Sequence, residues 1–154
     1  MTKQQAETPV VEFDLDDLAA IDQAELEIKT RDGRPTGWKW FIAGPGHPQA
    51  VELGNRIGRE NMARAKAQEM ARVNGKKWKG DDETSEEAMR RTAENLAGRL
   101  LGWSPIKMHG EDYPFSHANA VALFLDRARG DTLVTQLTEF ISDEKAFMKR
   151  SGTP

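Results

Sequence analysis

The sequence predicts a mainly α-helical single domain that opens with a β-hairpin, α+β by a strict count of elements. Three observations carry that prediction. The chain has 154 residues, 38% of them hydrophobic, enough for one ordinary core. Two alternating stretches flank a turn between positions 24 and 43. Further on, apolar residues recur at helical spacing in segments bounded by capping residues and glycines.

Residues 1–10 are polar, carry one proline and show no periodicity, so a mobile acidic arm is expected there, followed by a single domain over 11–150. In VEFDLDDLAAI, Val11, Phe13 and Leu15 alternate with acids as in a short strand, whereas Leu18 and Ile21 fall at helical spacing; the segment reads either way. A hairpin over about 24–43 follows from the alternation through Leu26 and Ile28, the turn formers Asp32-Gly33 and Pro35-Thr36-Gly37, and the run Trp38, Trp40, Phe41, Ile42. Two strands alone are marginal in water, so the apolar face of this ribbon needs a helix or a partner to cover it.

Pro48 suits the first position of a helix over about 48–73, with Val51, Leu53, Ile57, Met62, Ala65, Met70 and Val73 as a ragged stripe that Gly54 and Gly58 weaken. Asn74-Gly75 ends it. Thr84 and Glu87 form a capping box for a helix over about 84–101, running through Ala93, Leu96, Ala97, Leu100 and Leu101 to Gly102. Ser116 caps a helix over about 116–129, and Asp131 caps the last, over about 131–149, in which Leu133, Leu137, Phe140 and Ile141 line one face. Only Gly130-Asp131 separates these two helices, which implies an antiparallel pair; their clean stripes predict that this pair forms the stability core.

The absence of cysteine excludes disulfides, thiolate metal clusters and cysteine nucleophiles. His47, His109 and His117 are scattered and have no partners at ligand spacing, so no metal is expected. Acid pairs such as Asp16-Asp17 and Asp81-Asp82 lack the graded oxygen ligands of a calcium loop. No Gly-x-Ser-x-Gly elbow is present, and Gly44-Pro45-Gly46 lacks a following Gly-Lys-Ser/Thr. The chain is therefore expected to be neither an enzyme nor a cofactor carrier. It has no apolar run of membrane-spanning length, and MTKQQAETP offers no apolar core for a secretory signal, so a soluble intracellular protein is expected.

A net charge of −3 conceals a strong segregation. Glu7, Glu12, Asp14, Asp16, Asp17, Asp22 and Glu25 face only Lys3 in the opening segment, while Arg56, Arg59, Arg64, Lys66, Arg72, Lys76, Lys77 and Lys79 outweigh Glu60 and Glu69 in the middle. Lysines around Trp78 in KKWKG could join phosphate attraction to base stacking. A single aromatic makes a poor stacking platform and the pI is about 5.7, so nucleic acid is not the expected partner.

The last third carries LGW, GEDYPFSHANA and QLTEFISDEKAF, preceded upstream by DGRPTGWKWFIAGPGHP. These elements resemble the tail assembly chaperones of long-tailed bacteriophages over roughly residues 25–150, in which a Gly-Trp element, a "G…PFS..NA" loop and a closing "Q…F…D…F" helix recur. One departure is the Pro45-Gly46-His47-Pro48 turn, where relatives tend to carry Asp-Ser. The resemblance implies a helical protein of the host cytoplasm that binds the tape measure protein, helps recruit tail tube subunits and is not expected in the mature virion; self-association is compatible with it. A minor structural protein of the phage particle and a nucleic-acid-binding module are the rival readings. Candidate contact residues are Trp38, Trp40, Trp78, Trp103, Phe115 and Phe147, each of which a small helical domain could equally use in its core.

Overall fold

A computed structural model describes residues 12–19 and 21–147. The arm expected over 1–10 and the end of the last helix near 149 lie outside the described residues. In the undecided opening segment, Leu15–Leu18 forms one 3-10 turn, capped by Asp14, whose carboxylate accepts from the Asp16 N–H.

Strands β1 (Gln23–Lys29) and β2 (Pro35–Ala43) form the expected hairpin. The sequence reading missed the third strand. Leu100–Trp103, assigned above to the end of a helix, is β3, antiparallel to β2 in a sheet of order β1-β2-β3. Register places Leu26, Trp40 and Trp103 in one row and Ile42 opposite Leu100; an irregularity after Phe41 keeps Leu100 and Trp103 both turned toward the core. Helix propensity in LLGW yields to tertiary context, because Gly98 and Arg99 turn the chain and two large apolar residues then fill the sheet.

Helix α1 spans Pro48–Val73, as the sequence indicates, with Pro48 in its first turn and His47 Nδ1 accepting from the Gln49 N–H at 3.0 Å. It ends in a Schellman motif: Lys76 N–H reaches the Ala71 carbonyl, Gly75 N–H reaches that of Arg72, and Gly75 holds φ +63. Helix α2 (Ser85–Ala97) is shorter than expected and begins as the capping box requires, Thr84 Oγ1 accepting from Glu87 N–H at 3.1 Å. A small hairpin of β4 (Lys107–Met108) and β5 (Glu111–Asp112) turns at His109-Gly110, both at positive φ.

Helix α3 (His117–Phe124) is capped by Ser116 but stops well short of 129, and α4 (Gly130–Ser142) begins without a side-chain cap. Asp131 is not that cap; it faces Arg31 at 3.7 Å. The real punctuation is Asp126, whose carboxylate accepts from the N–H groups of Ala128 and Arg129 and pairs with the Arg129 guanidinium. Gly130 packs against the end of α3 so tightly that a Cβ there would overlap the Phe124 carbonyl.

One face of the sheet is covered and the other is wet, as a small antiparallel sheet allows. Ala24 and Ile28 of β1, Trp40 and Ile42 of β2, and Leu100 and Trp103 of β3 meet Ala93 and Ala97 of α2, Leu123 and Phe124 of α3, and Leu133 and Leu137 of α4 in one cluster. The core is therefore sheet-centred. The α3–α4 pair supplies one wall of it, not a separate stability core, and Phe140 is only partly buried. Gln136 closes the outer edge of β1: its side-chain oxygen accepts from Lys29 N–H at 2.8 Å, and its amide donates to the Lys29 carbonyl at 2.9 Å.

Glycine substitution separates the two kinds of helix environment. Gly130→Ala should lose about 1–3 kcal/mol in urea unfolding through overlap with the α3 carbonyl, whereas Gly58→Ala, with no atom near its added methyl, should gain about 0.5–1 kcal/mol. Equal effects would show that the tight α3–α4 junction is wrong.

Hydrogen bonds from the Ala128 backbone and from Arg129 hold the Asp126 carboxyl below the usual carboxylate range. Its folded pKa thus lies beneath the unfolded value of about 3.9, so its stabilisation is present above about pH 4 and is lost as the pH falls through the folded value. Asp126→Asn should lower stability at neutral pH and narrow the gap from the parent chain in acid, as followed by thermal unfolding across pH.

Candidate functional site

The aromatic candidates converge, but inward. Trp38 and Trp40 lie edge to face at 5.3 Å, each ring also meets Trp103, and Trp40 adds Phe124 at 5.7 Å. Trp40 is 0% exposed, Trp103 8% and Phe147 4%, so all three are core residues in this fold, with only an edge of Trp103 reaching an open pocket beside Phe115. The reason is register: period-two alternation turns Trp38, Trp40 and Ile42 to the face on which the helices pack. Phe147 sits beside Phe140 at 5.5 Å, with the Arg99 guanidinium over its ring.

Residues of the Tyr-Pro-Phe-Ser-x-x-Asn-Ala element and their neighbours hold one another. Tyr113 stacks on Trp103 at 5.9 Å, and the Trp103 indole donates to the Tyr113 carbonyl. The Tyr113 hydroxyl donates to the Asn119 carbonyl, and the Asn119 amide donates to the carbonyl of Pro114. Phe115 is half-buried, edge-on to Trp103 at 5.0 Å. The GEDYPFSHANA element thus braces Trp103 from one side, and Trp103, Tyr113, Pro114 and Phe115 together line an open pocket of about 360 Å³.

Trp38 and Trp78 are also half-buried. The Trp78 ring lies against Gly80 and beneath the Arg64 guanidinium, which is 5.2 Å from its centroid. Glu83 holds this loop onto the helices, accepting from Arg64 of α1 at 3.4 Å and from Arg91 of α2. Half of the basic block is engaged in this way, Arg56 with Glu60, Arg72 with Glu69 and Lys77 with Asp82 beside Arg64 with Glu83, while Arg59, Lys66, Lys76 and Lys79 make no ion pair among the described residues. Those pairs divert cationic groups from any phosphate, and Trp78 has one face covered. Among the described residues no group of three or more His, Asp or Glu is placed to hold a metal ion, and no helix is long and apolar enough to cross a membrane.

Besides a pocket of about 360 Å³ beside Trp103, Tyr113 and Phe115, two further surfaces are open. The first is α1. Of its 26 residues only Ala50 and Leu53 are buried, while Met62, Met70 and Val73 are 75%, 57% and 70% exposed. Its first turns are tied down by Gln49, whose amide donates to the carbonyls of Gly98 and Leu100. Between α1 and α2 runs a cleft of about 320 Å³ whose apolar lining comes from Ala50, Leu53, Ile57, Leu96 and Ile141. Arg99 lies at its edge, with burial lowering its pKa from the usual value and with two hydrogen bonds to the Ala43 carbonyl.

The second surface is a groove of about 370 Å³ at the far end of the sheet. Ile28, Trp38, Ile106, Met108, Leu123 and Leu133 supply its apolar lining, and Lys29, Arg31, Lys107, His109 and Arg129 surround it. Among the described residues no carboxylate lines it. Tyr113 also borders the groove; burial and then the Asp126 charge raise its hydroxyl above the usual pKa, so it is a neutral donor at physiological pH. Only Trp38 of this groove was singled out from sequence. Its other walls come from segments far apart in the chain, and no local motif announces them.

Glu83→Ala should release Trp78: acrylamide quenching of its fluorescence should rise against a Trp78→Phe reference. Both ion pairs of Glu83 are partly exposed, so global stability should fall by less than about 1 kcal/mol. Unchanged quenching would mean that the ring is held by packing alone.

In comparisons with known proteins, no family model, no curated protein and no solved structure matches the chain.

Proposed function

We propose that this chain acts by non-covalent capture of amphipathic helical segments, as a phage tail assembly chaperone that binds the tape measure protein and helps recruit tail tube subunits. The observation that carries the capture reading is the unburied length of α1. A helix of 26 residues that buries only its first turns leaves exposed methionines and an open apolar cleft. Methionine is unbranched and polarizable, so such a face can repack against different helices. The cleft between α1 and α2 matches the helix-in-groove mode of recognition, in which apolar side chains at helical spacing enter a hydrophobic trough. The assignment to tail assembly rests in addition on the sequence elements around Trp103, Phe115 and Gln136. In this reading the chain covers the apolar seam of a long coiled-coil partner until tube subunits replace it.

Contact therefore moves from Trp40, Trp103 and Phe147, which the core uses, to the cleft beside Leu53 and Ile57 and to Met62, Met70 and Val73 on the sides of α1 turned away from it. Co-expression with a tape measure protein should keep that partner soluble, and purified particles should lack the chain by mass spectrometry. Met62→Ser combined with Met70→Ser should leave circular dichroism intact and abolish the solubilisation, since both side chains are exposed in the free chain. A doubly substituted protein that still protects the partner would overturn the assignment of α1, and retention of the chain in particles would favour a minor structural role.

A further inference from the structure

The basic-rimmed groove at the end of the sheet has an acidic, apolar complement elsewhere in the same chain. Phe13, Leu15 and Leu18 are large apolar side chains exposed by 54%, 77% and 71%, interleaved with Glu12, Asp14 and Asp16. Exposed apolar groups this close together are costly in water unless something covers them. The groove offers an apolar floor at Trp38, Met108 and Leu123, together with rim cations. Arg31 and Arg129 already face Asp131 and Asp126, whereas Lys29 and Lys107 have no ion pair among the described residues. Apolar groups flanked by carboxylates thus match an apolar trough flanked by free ammonium groups, in size class as well as in charge.

We propose that the segment from Glu12 to Leu18 of one copy of this chain seats in the groove of a second copy, with Phe13 or Leu15 on Trp38 and the carboxylates against Lys29 and Lys107. The segment emerges at the opposite end of β1 from the groove: Ile21 N–H is fixed to the Phe147 carbonyl and Gly44 N–H to that of Asp22, while the groove lies beyond Ile28. Those ends are roughly 20 Å apart along the strand. Docking within one chain would have to unwind the turn at Leu15–Leu18 and double back along β1, whose outer edge Gln136 occupies at Lys29. Two copies placed antiparallel bring each segment to the other's groove at once. Both contacts form in one closed pair, and the assembly stops at two.

Sedimentation equilibrium of the full chain tests this. The mass should rise with concentration from one copy to two and no further, and added salt should weaken the association by screening the lysine–carboxylate contacts. A segment variant, Phe13→Ser with Leu15→Ser, and a groove variant, Lys29→Glu with Lys107→Glu, should each keep the parent circular dichroism and raise the dimer dissociation constant at least about tenfold. Mixing the two variants should give a mixed pair tighter than either variant forms alone, because at one of its two contacts the intact segment of the groove variant meets the intact groove of the segment variant. A parent chain that stays monomeric at all concentrations, a segment variant that pairs as the parent does, or variants that fail to complement on mixing would each overturn the proposal.

Discussion

The placement of Trp40 is the constraint on which the rest of the fold depends. It lies on the central strand with Leu26 on one side and Trp103 on the other, and its ring touches Trp38, Trp103 and Phe124. A buried tryptophan removes about 150–250 Å² of surface from water, worth on the order of 4–6 kcal/mol at about 25 cal/mol per Å². Against this stands an indole N–H that finds no hydrogen-bond acceptor among the described residues, a cost of about 1–3 kcal/mol. Burial wins, and the ring needs walls on every side. Strand β3 supplies Trp103, α3 supplies Phe124, and the other two indoles of the cluster discharge their own N–H groups onto the carbonyls of Ser104 and Tyr113. The loop after β3 is therefore shaped by the needs of the rings packed around Trp40.

Helix α1 obeys different physics. Almost none of its length is held by burial, so its stability rests on terms that act locally: the His47 cap, the Schellman motif at Gly75, and charge pairs such as Arg56–Glu60 and Arg72–Glu69. Each such term is worth a few tenths to about one kcal/mol, and Gly54 and Gly58 work against them. Among the described residues, tertiary support comes through Gln49, Leu53 and half-buried Ile57 in the first half and through the Arg64–Glu83–Arg91 bridge further along. A helix supported in this way opens locally at less cost than the sheet does, and Met70 and Val73 lie beyond the last of these supports.

What could be read from sequence follows the range of the forces involved. Local chemistry was legible: Pro48, Thr84 and Ser116 start helices as their side chains require, Gly75 stops one, and alternation through Leu26 and Ile28 gives the hairpin. Non-local decisions were not. LLGW reads as a helix end until a neighbouring strand is known, and Asp131 looked like a cap because the tighter device at Asp126 sits inside what resembled continuous helix. At the candidate site, period-two spacing puts Trp38 and Trp40 on one face and calls for a helix or a partner to cover it, and in the structure helices cover it. A groove walled by β1, β4 and α4 has no sequence signature of its own.

The α1 cleft and the basic groove lie at opposite ends of one sheet, and this separates what each can do. The cleft beside α1 is anchored where Ile42 meets Leu100, and the groove opens past Ile28 and Trp38 at the other end of the same strands. Their chemistry differs in the same sense: the cleft is lined chiefly by Ala50, Leu53, Ile57, Leu96 and Ile141, so contacts there depend on buried area, whereas the groove keeps Lys29 and Lys107 without an ion pair among the described residues and discriminates by charge. The residues that would pair through the groove, Phe13, Leu15, Lys29 and Lys107, are distinct from those that line the α1 cleft. A closed pair of this kind would present two helix-capturing faces to one long partner, and the second capture would occur at the effective concentration set by the first.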